Sequence, residues 1–265
     1  IFFWPSITAL MGFGINMLAL PFIAKLALVL LGMLTFFALF RYSLPPALAT
    51  GFLPIVTNAT EMSFLASIGI TTLVLMLGVV LFRMRGEADR DSPLFHRHML
   101  AYLVITLAWM GVAYAAGYAH LAAIPPVTVV VYESLHMQMY SLRMVVKQTA
   151  VLTLSATIGV VLFLALDSWE LVAVLNVLLM AVLLRAFQMR VPAVYAFPFL
   201  AYVFPSEAVP SLPVAAALVS AFSLGLVLAY RHWLVPPQPM SALEMPGLNG
   251  SRPATPAGDA LVGAG

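Results

Sequence analysis

Cysteine is absent from the 265 residues, which excludes disulfide bridges, thiolate metal sites and cysteine nucleophiles. Charge is nearly as scarce: Asp, Glu, Lys and Arg make up 8% of the chain, against about 25% in a soluble domain. A soluble protein of this length could not cover 63% hydrophobic residues with so few charges. With a mean hydropathy of +1.05, the chain reads as an all-α polytopic membrane protein. Also lacking are a glycine-rich phosphate loop, any metal-ligand spacing, and a Ser or Thr placed with a His and an acid. Nucleophilic catalysis therefore has no support, and neither an enzyme, a cofactor nor a metal is expected. No basic patch for nucleic acid stands outside the loops that set topology, and a pI near 9.0 is what such loops produce. The chain opens at Ile1 inside an apolar run, without an initiator Met or a charged leader, so the expectation is that the natural N-terminal segment is missing.

What is abundant is apolar length. A helix needs about 20 residues to cross roughly 30 Å of hydrocarbon. Stretches near 1–20, 22–41, 63–83, 98–121, 147–166, 170–187 and 211–231 meet that need, giving about seven full transmembrane helices. Three shorter apolar pieces lie between them, at 45–57, 125–140 and 192–205, and each opens on proline: Pro45-Pro46, Pro125-Pro126 and Pro192. Proline suits a first helical turn, where its missing N–H would have had no partner. These pieces read as half-helices, tolerated at membrane depth only when buried in protein or lining a wet cavity.

Basic residues orient the chain. If the loop 84–97 with its arginines is cytoplasmic and every piece crosses, then Arg41, Arg143, Lys147, Arg185, Arg190 and Arg231 also fall inside. Glu61, Asp167, Glu170, Glu207 and the lone Lys25 fall outside. This places the protein in a bacterial-type inner (plasma) membrane, in contact with lipid. The final stretch, rich in Pro, Gly, Ser and Ala, is expected to be a disordered cytoplasmic tail over 232–265.

Sliding the chain on itself by 147 residues aligns Ala9 with Ala156, Gly12 with Gly159, Pro45 with Pro192, and Phe52-Leu53 with Phe199-Leu200. The expected organisation is two tandem parallel repeats, 1–83 (N-terminally incomplete) and 124–231, with a linking helix over 98–123. Parallel repeats of this kind occur in transporters.

The second copy runs "IPPVTVVVYESLHMQMYSLRMVVKQTAVLTLSATIGVVLFLAL" and then "LLMAVLLRAFQMRVPAVYAFPFLAYVFP". It resembles the HPP family of integral membrane proteins. Ser141-Leu142-Arg143 stands where that family has its polar-Arg stretch, and Ala156 and Gly159 match its small residues. Leu44-Pro45-Pro46 and Val191-Pro192-Ala193 stand at its His-Pro-Pro signature, although neither copy carries the histidine. The resemblance implies transport of a small anion such as nitrite.

Candidate site residues follow from these readings. Helix N-termini carry unpaired N–H groups and about half a positive charge, so Pro45, Pro46, Pro126 and Pro192 mark an anion path or, alternatively, mere packing irregularities. Thr50 and Gly51 allow either close helix approach or backbone exposure to substrate. Glu133 is a carboxylate about eight residues into a short apolar segment; it is a proton-coupling or gating group, or an interfacial acid paired with Arg143 or Lys147. His136, three residues on, shares its helical face. Arg143 and Arg185 attract substrate or snorkel as topology anchors. Asn16 and Asn176 read as interhelical hydrogen-bonding amides, and His96 and His98 as loop residues without a metal role. The functional expectation is a transporter or channel for a small inorganic or organic anion. The alternatives are an aromatic-acid exporter-like protein or a non-transporting scaffold subunit; assembly as a homo-oligomer stays open.

Overall fold

The computed structural model describes residues 3–41, 44–82, 96–137, 139–204 and 206–234. The 84–95 stretch of the basic loop and the tail beyond residue 234 lie outside them. Among the described residues the chain is all-helical. Nine α-helices follow in order: α1 Phe3–Asn16, α2 Phe22–Phe40, α3 Pro45–Val56, α4 Met62–Leu81, α5 His96–Ala115, α6 Pro125–His136, α7 Leu142–Ala165, α8 Trp169–Phe187 and α9 Leu212–Leu234. An eleven-residue 3₁₀ helix, Pro192–Tyr202, sits between α8 and α9. Helices α2, α4, α5, α7, α8 and the stretch Val209–Trp233 are long and apolar enough to cross a membrane. The chain is therefore an integral membrane protein.

Several boundaries differ from the sequence reading, each for a local reason. α1 runs 14 residues and stops at Asn16, where the Lys25 ammonium donates to the Asn16 carbonyl at 2.6 Å. A cation at the last carbonyls satisfies groups that the helix itself cannot. α5 ends at Ala115 instead of continuing to 121, because Gly117 adopts φ +81. The Tyr118 and Gly117 amides then close back on the Ala113 and Tyr114 carbonyls. α9 continues through Leu234, so 232–234 belong to the helix and not to the tail. The piece at 192 is a 3₁₀ helix where an α-helix was expected. Pro198 lies in its interior, as Pro54 lies inside α3, so proline alone does not account for the difference.

The 147-residue offset recurs in the elements. α2 and α8 are both 19 residues, and both of their ends are that far apart. Each ends on a left-handed residue, Arg41 at φ 50 and Gln188 at φ 53. Each is followed by an extended residue, Leu44 or Val191, and then a proline-led short helix. Packing repeats too. Thr8 bonds Thr50 at 2.8 Å, and a Cβ on Gly12 would strike the Gly51 carbonyl. In the other half Ser155 donates to the Val194 carbonyl at 3.0 Å, and a Cβ on Gly159 would strike Pro198. Asn16 reaches the Ala59 carbonyl at 2.9 Å, so α1 and α3 run parallel. Phe163 meets Tyr202 with ring centroids 4.8 Å apart, so α7 and the 3₁₀ helix run parallel as well.

Short helices can join levels that long ones span because the connections dip inward. Trp109, in the C-terminal third of α5, donates its indole N–H to the Leu121 carbonyl at 3.0 Å, pulling the loop back along the helix. Leu121 to Ile124 are buried, so α6 begins inside the bundle. Its 12 residues, about 18 Å, then suffice to bring His136 level with His98 near the start of α5, with ring centroids 5.2 Å apart. α3 does the same for α2. Asn16 is bonded both by Lys25, near the start of α2, and to Ala59, just past α3.

Candidate functional site

The three proline-led helices pack together, and a cavity of about 440 Å³ lies between them. α3 contributes Pro46, Ala49, Thr50 and Leu53; α6 contributes Pro125, Pro126, Val129 and Glu133; the 3₁₀ helix contributes Pro192, Ala193, Ala196, Phe199, Leu200 and Val203. On α3 the spacing of three, four and seven residues is one helical face. Under the 147 offset Pro46, Ala49 and Leu53 correspond to Ala193, Ala196 and Leu200, so two walls of the cavity are built from matched positions. α6, from the second half alone, supplies the third. The volume falls in the range of about 300–1,000 Å³ typical of small-ligand sites.

Direction matters for the electrostatics. Phe37, one turn from the end of α2, meets Tyr132 with centroids 6.2 Å apart. Glu133 is thereby level with the N-terminal part of α3, and α6 runs antiparallel to it. The carboxylate and the proline turn of α3 share one end of the cavity; the Pro125-Pro126 turn faces the other. No described residue gives the Glu133 carboxylate a hydrogen bond or an ion pair. Helix-terminal dipoles compensate a nearby anion only partly, and the rest of the wall is apolar.

The expectation that exposed amides at these helix starts would hold an anion meets a physical obstacle. Proline occupies N1 and N2 of α3 and α6, so those positions have no N–H. The next amides are used locally: Ala47 donates to the Leu44 carbonyl at 2.9 Å, and Val127 and Thr128 to the Ile124 carbonyl at 2.9 and 3.2 Å. At the 3₁₀ helix, Val194 donates to the Val191 carbonyl at 3.1 Å. Double proline therefore leaves α3 and α6 with few free donors in the first turn, because the prolines carry no N–H and the amides of Ala47, Val127 and Thr128 are already used. The polar side chains of the cavity are Glu133 and Thr50, and Thr50 already donates to the Ala47 carbonyl at 3.0 Å.

The other sequence candidates are placed as follows. Pro45 and Gly51 belong to α3 but do not line the cavity; Gly51 instead abuts Gly12 and Met33. Arg143 and Arg185 are exposed and away from it, which corrects their expected position at the site. Each lies on the helix flank opposite a buried stripe, Val145, Gln148 and Leu152 on α7 and Met180, Leu183 and Leu184 on α8. Lys147 donates to the Phe187 carbonyl at 3.3 Å, not to Glu133. Asn16 makes the interhelical bond expected of it, whereas the buried Asn176 amide bonds no described residue.

His136 does not line the cavity. Its Nδ1–H donates to the Tyr132 carbonyl at 2.8 Å, and its ring faces His98. Nothing in the spacing of His98 and His136 along the chain pointed to their meeting. Also missed were the small and apolar wall residues Ala49, Val129, Ala193 and Ala196. Their spacing from each proline was the available signal. Next to this end, Gln148 bonds the Ser134 hydroxyl at 3.0 Å and receives the Tyr140 hydroxyl at 2.7 Å, tying α6 to α7. A separate cleft of about 510 Å³ at the bundle rim, between Tyr140 and Trp233, contains none of the proline-led segments.

No family model, curated protein or solved structure matches the chain.

Proposed function

We propose that the chain is a membrane transporter that moves a small anion together with a proton, the solute passing through the three-helix cavity and the proton residing on Glu133. The observation that carries this reading is that the three short proline-led helices, drawn from both halves of the chain, and the Glu133 carboxylate share a single cavity. Broken helices at membrane depth belong where they line a solute path. An anion cannot enter an apolar space beside an ionised carboxylate without repulsion that low dielectric strengthens. Protonating Glu133 removes that repulsion, so proton and anion enter as a neutral pair. The same reading takes the matched halves as a tandem duplication, the His-less proline turns as an HPP-like signature, and the basic face as cytoplasmic.

Reconstituted protein tests it. Uptake of nitrite, nitrate, formate and benzoate into proteoliposomes is expected to accelerate under an inward proton gradient. Glu133→Gln, a permanent mimic of the protonated acid, should leave the rate insensitive to pH. Uptake whose pH dependence survives that substitution would overturn the coupling role. A lone carboxylate with no basic side chain in the wall also fits an organic cation. That second reading predicts that small amines compete, and that Glu133→Gln abolishes their binding instead of flattening a pH profile.

A further inference from the structure

We infer that His136 and His98 form a proton relay leading from Glu133 to the face of the bundle where α5 begins, so that the proton leaves the cavity by a route separate from the solute. The inference rests on the proposed coupling role of Glu133. Three placements carry it. His136 lies one turn beyond Glu133 on α6, where residues three apart are neighbours on the helix surface, yet it stands outside the cavity wall. Its Nδ1–H is held by the Tyr132 carbonyl at 2.8 Å. That bond fixes the neutral tautomer with the lone pair on Nε2, and Nε2 is buried with no hydrogen-bond partner among the described residues. A buried ring nitrogen left open in this way is costly for structure alone and is the atom a relay needs.

His98, on the first turn of α5, meets the His136 ring edge to face, centroids 5.2 Å apart and planes at 88°. Its other flank touches Tyr230 of α9 at 6.0 Å. Next to it in sequence are Arg97, exposed, and His96, also exposed, so the pair reaches solvent within one helical turn. The ionisable groups placed against the pair are Tyr132 on α6 and Tyr230 and Arg231 on α9, while Glu133, His96, Arg97 and His232 adjoin these residues along the chain and Tyr102 meets Tyr132. Arg231 donates to the Leu135 carbonyl at 3.2 Å, which fixes a cation beside the two rings. Its repulsion disfavours both imidazoles holding a proton at once, so a proton arriving at one ring is passed on. In the step proposed, the Glu133 carboxylic acid gives its proton to His136 Nε2, forming carboxylate and imidazolium. His136 then returns to its neutral form as a ring nitrogen of His98 takes the proton and releases it to water.

Proteoliposomes holding an internal pH dye test this with formate as the solute. Two readouts are compared: solute-for-solute exchange at equal pH, which needs no proton release, and net uptake driven by a proton gradient. His98→Gln and His136→Gln are expected to keep wild-type exchange but lose about a hundredfold in gradient-driven uptake, the low end of what a positioned proton-transfer group contributes. Added imidazole should restore part of the loss in His98→Gly, which a merely structural defect would not show. His232→Gln, exposed on α9, should behave as wild type. Retention of wild-type internal acidification by His98→Gln would overturn the relay and leave the cavity reading standing. Absence of formate-dependent flux from the wild type would overturn both.

Discussion

At the scale of single residues, the packing turns on side chains that are barely there. Gly12 and Gly159 each sit where a short proline-led helix crosses a longer one, and a Cβ at either would run into backbone. Backbone cannot swing aside as a flexible side-chain end can. Overpacking of this kind costs about 1–3 kcal/mol, so Gly159→Val should lower the thermal unfolding midpoint in detergent. Gly225→Val, where a Cβ would meet nothing within 4 Å, should leave it unchanged. The alignment of the two glycines was visible in the sequence because the 147 offset that pairs them also pairs Ala9 with Ala156 and Pro45 with Pro192. What each glycine touches was not, since contact partners 39 residues along the chain leave no local trace.

Among the elements, the short helices were legible and their internal geometry was not. Double proline announced the starts of α3 and α6 because it fixes φ and needs no donor, and the observed helices begin on those residues. The same prolines concealed a consequence: they carry no N–H and the amides just after them are bonded locally, so these helix starts offer an anion fewer donors than an ordinary N-terminus. The far end of α6 is held differently, by the Ser134, Gln148 and Tyr140 cluster. Gln148 is 1% exposed, and its side chain joins α6 to α7 through both partners. Gln148→Leu fills the same space but leaves the two hydroxyls without that amide. Buried polar groups left unpaired cost about 1–3 kcal/mol, and the expected outcome is a lower unfolding midpoint. Because Ser134 adjoins Glu133, the loss should be accompanied by altered pH dependence of uptake, measurable in the same proteoliposomes.

For the whole molecule, the decisive question is whether 11- and 12-residue helices really carry the chain from one face to the other. Hydropathy alone could not answer it, because pieces of about 18 Å fall short of roughly 30 Å of hydrocarbon. Charge placement argued that they do cross, and the bundle supplies the means: inward-dipping connections shorten the distance, and a 3₁₀ helix, rising about 2 Å per residue, lengthens the reach. The absence of cysteine makes the test direct. Single cysteines at Arg41, Glu61, Arg190 and Glu207 flank α3 and the 3₁₀ helix, and all four positions are exposed. If both helices cross, a membrane-impermeant maleimide added to sealed inverted vesicles should label positions 41 and 190 but not 61 and 207, with the reverse pattern in right-side-out cells. If either helix only dips and returns, its two flanking positions would label from the same side. The charge-derived orientation would then fail for every segment that follows, and the cavity would open to one face alone, which a carrier working between two compartments cannot tolerate.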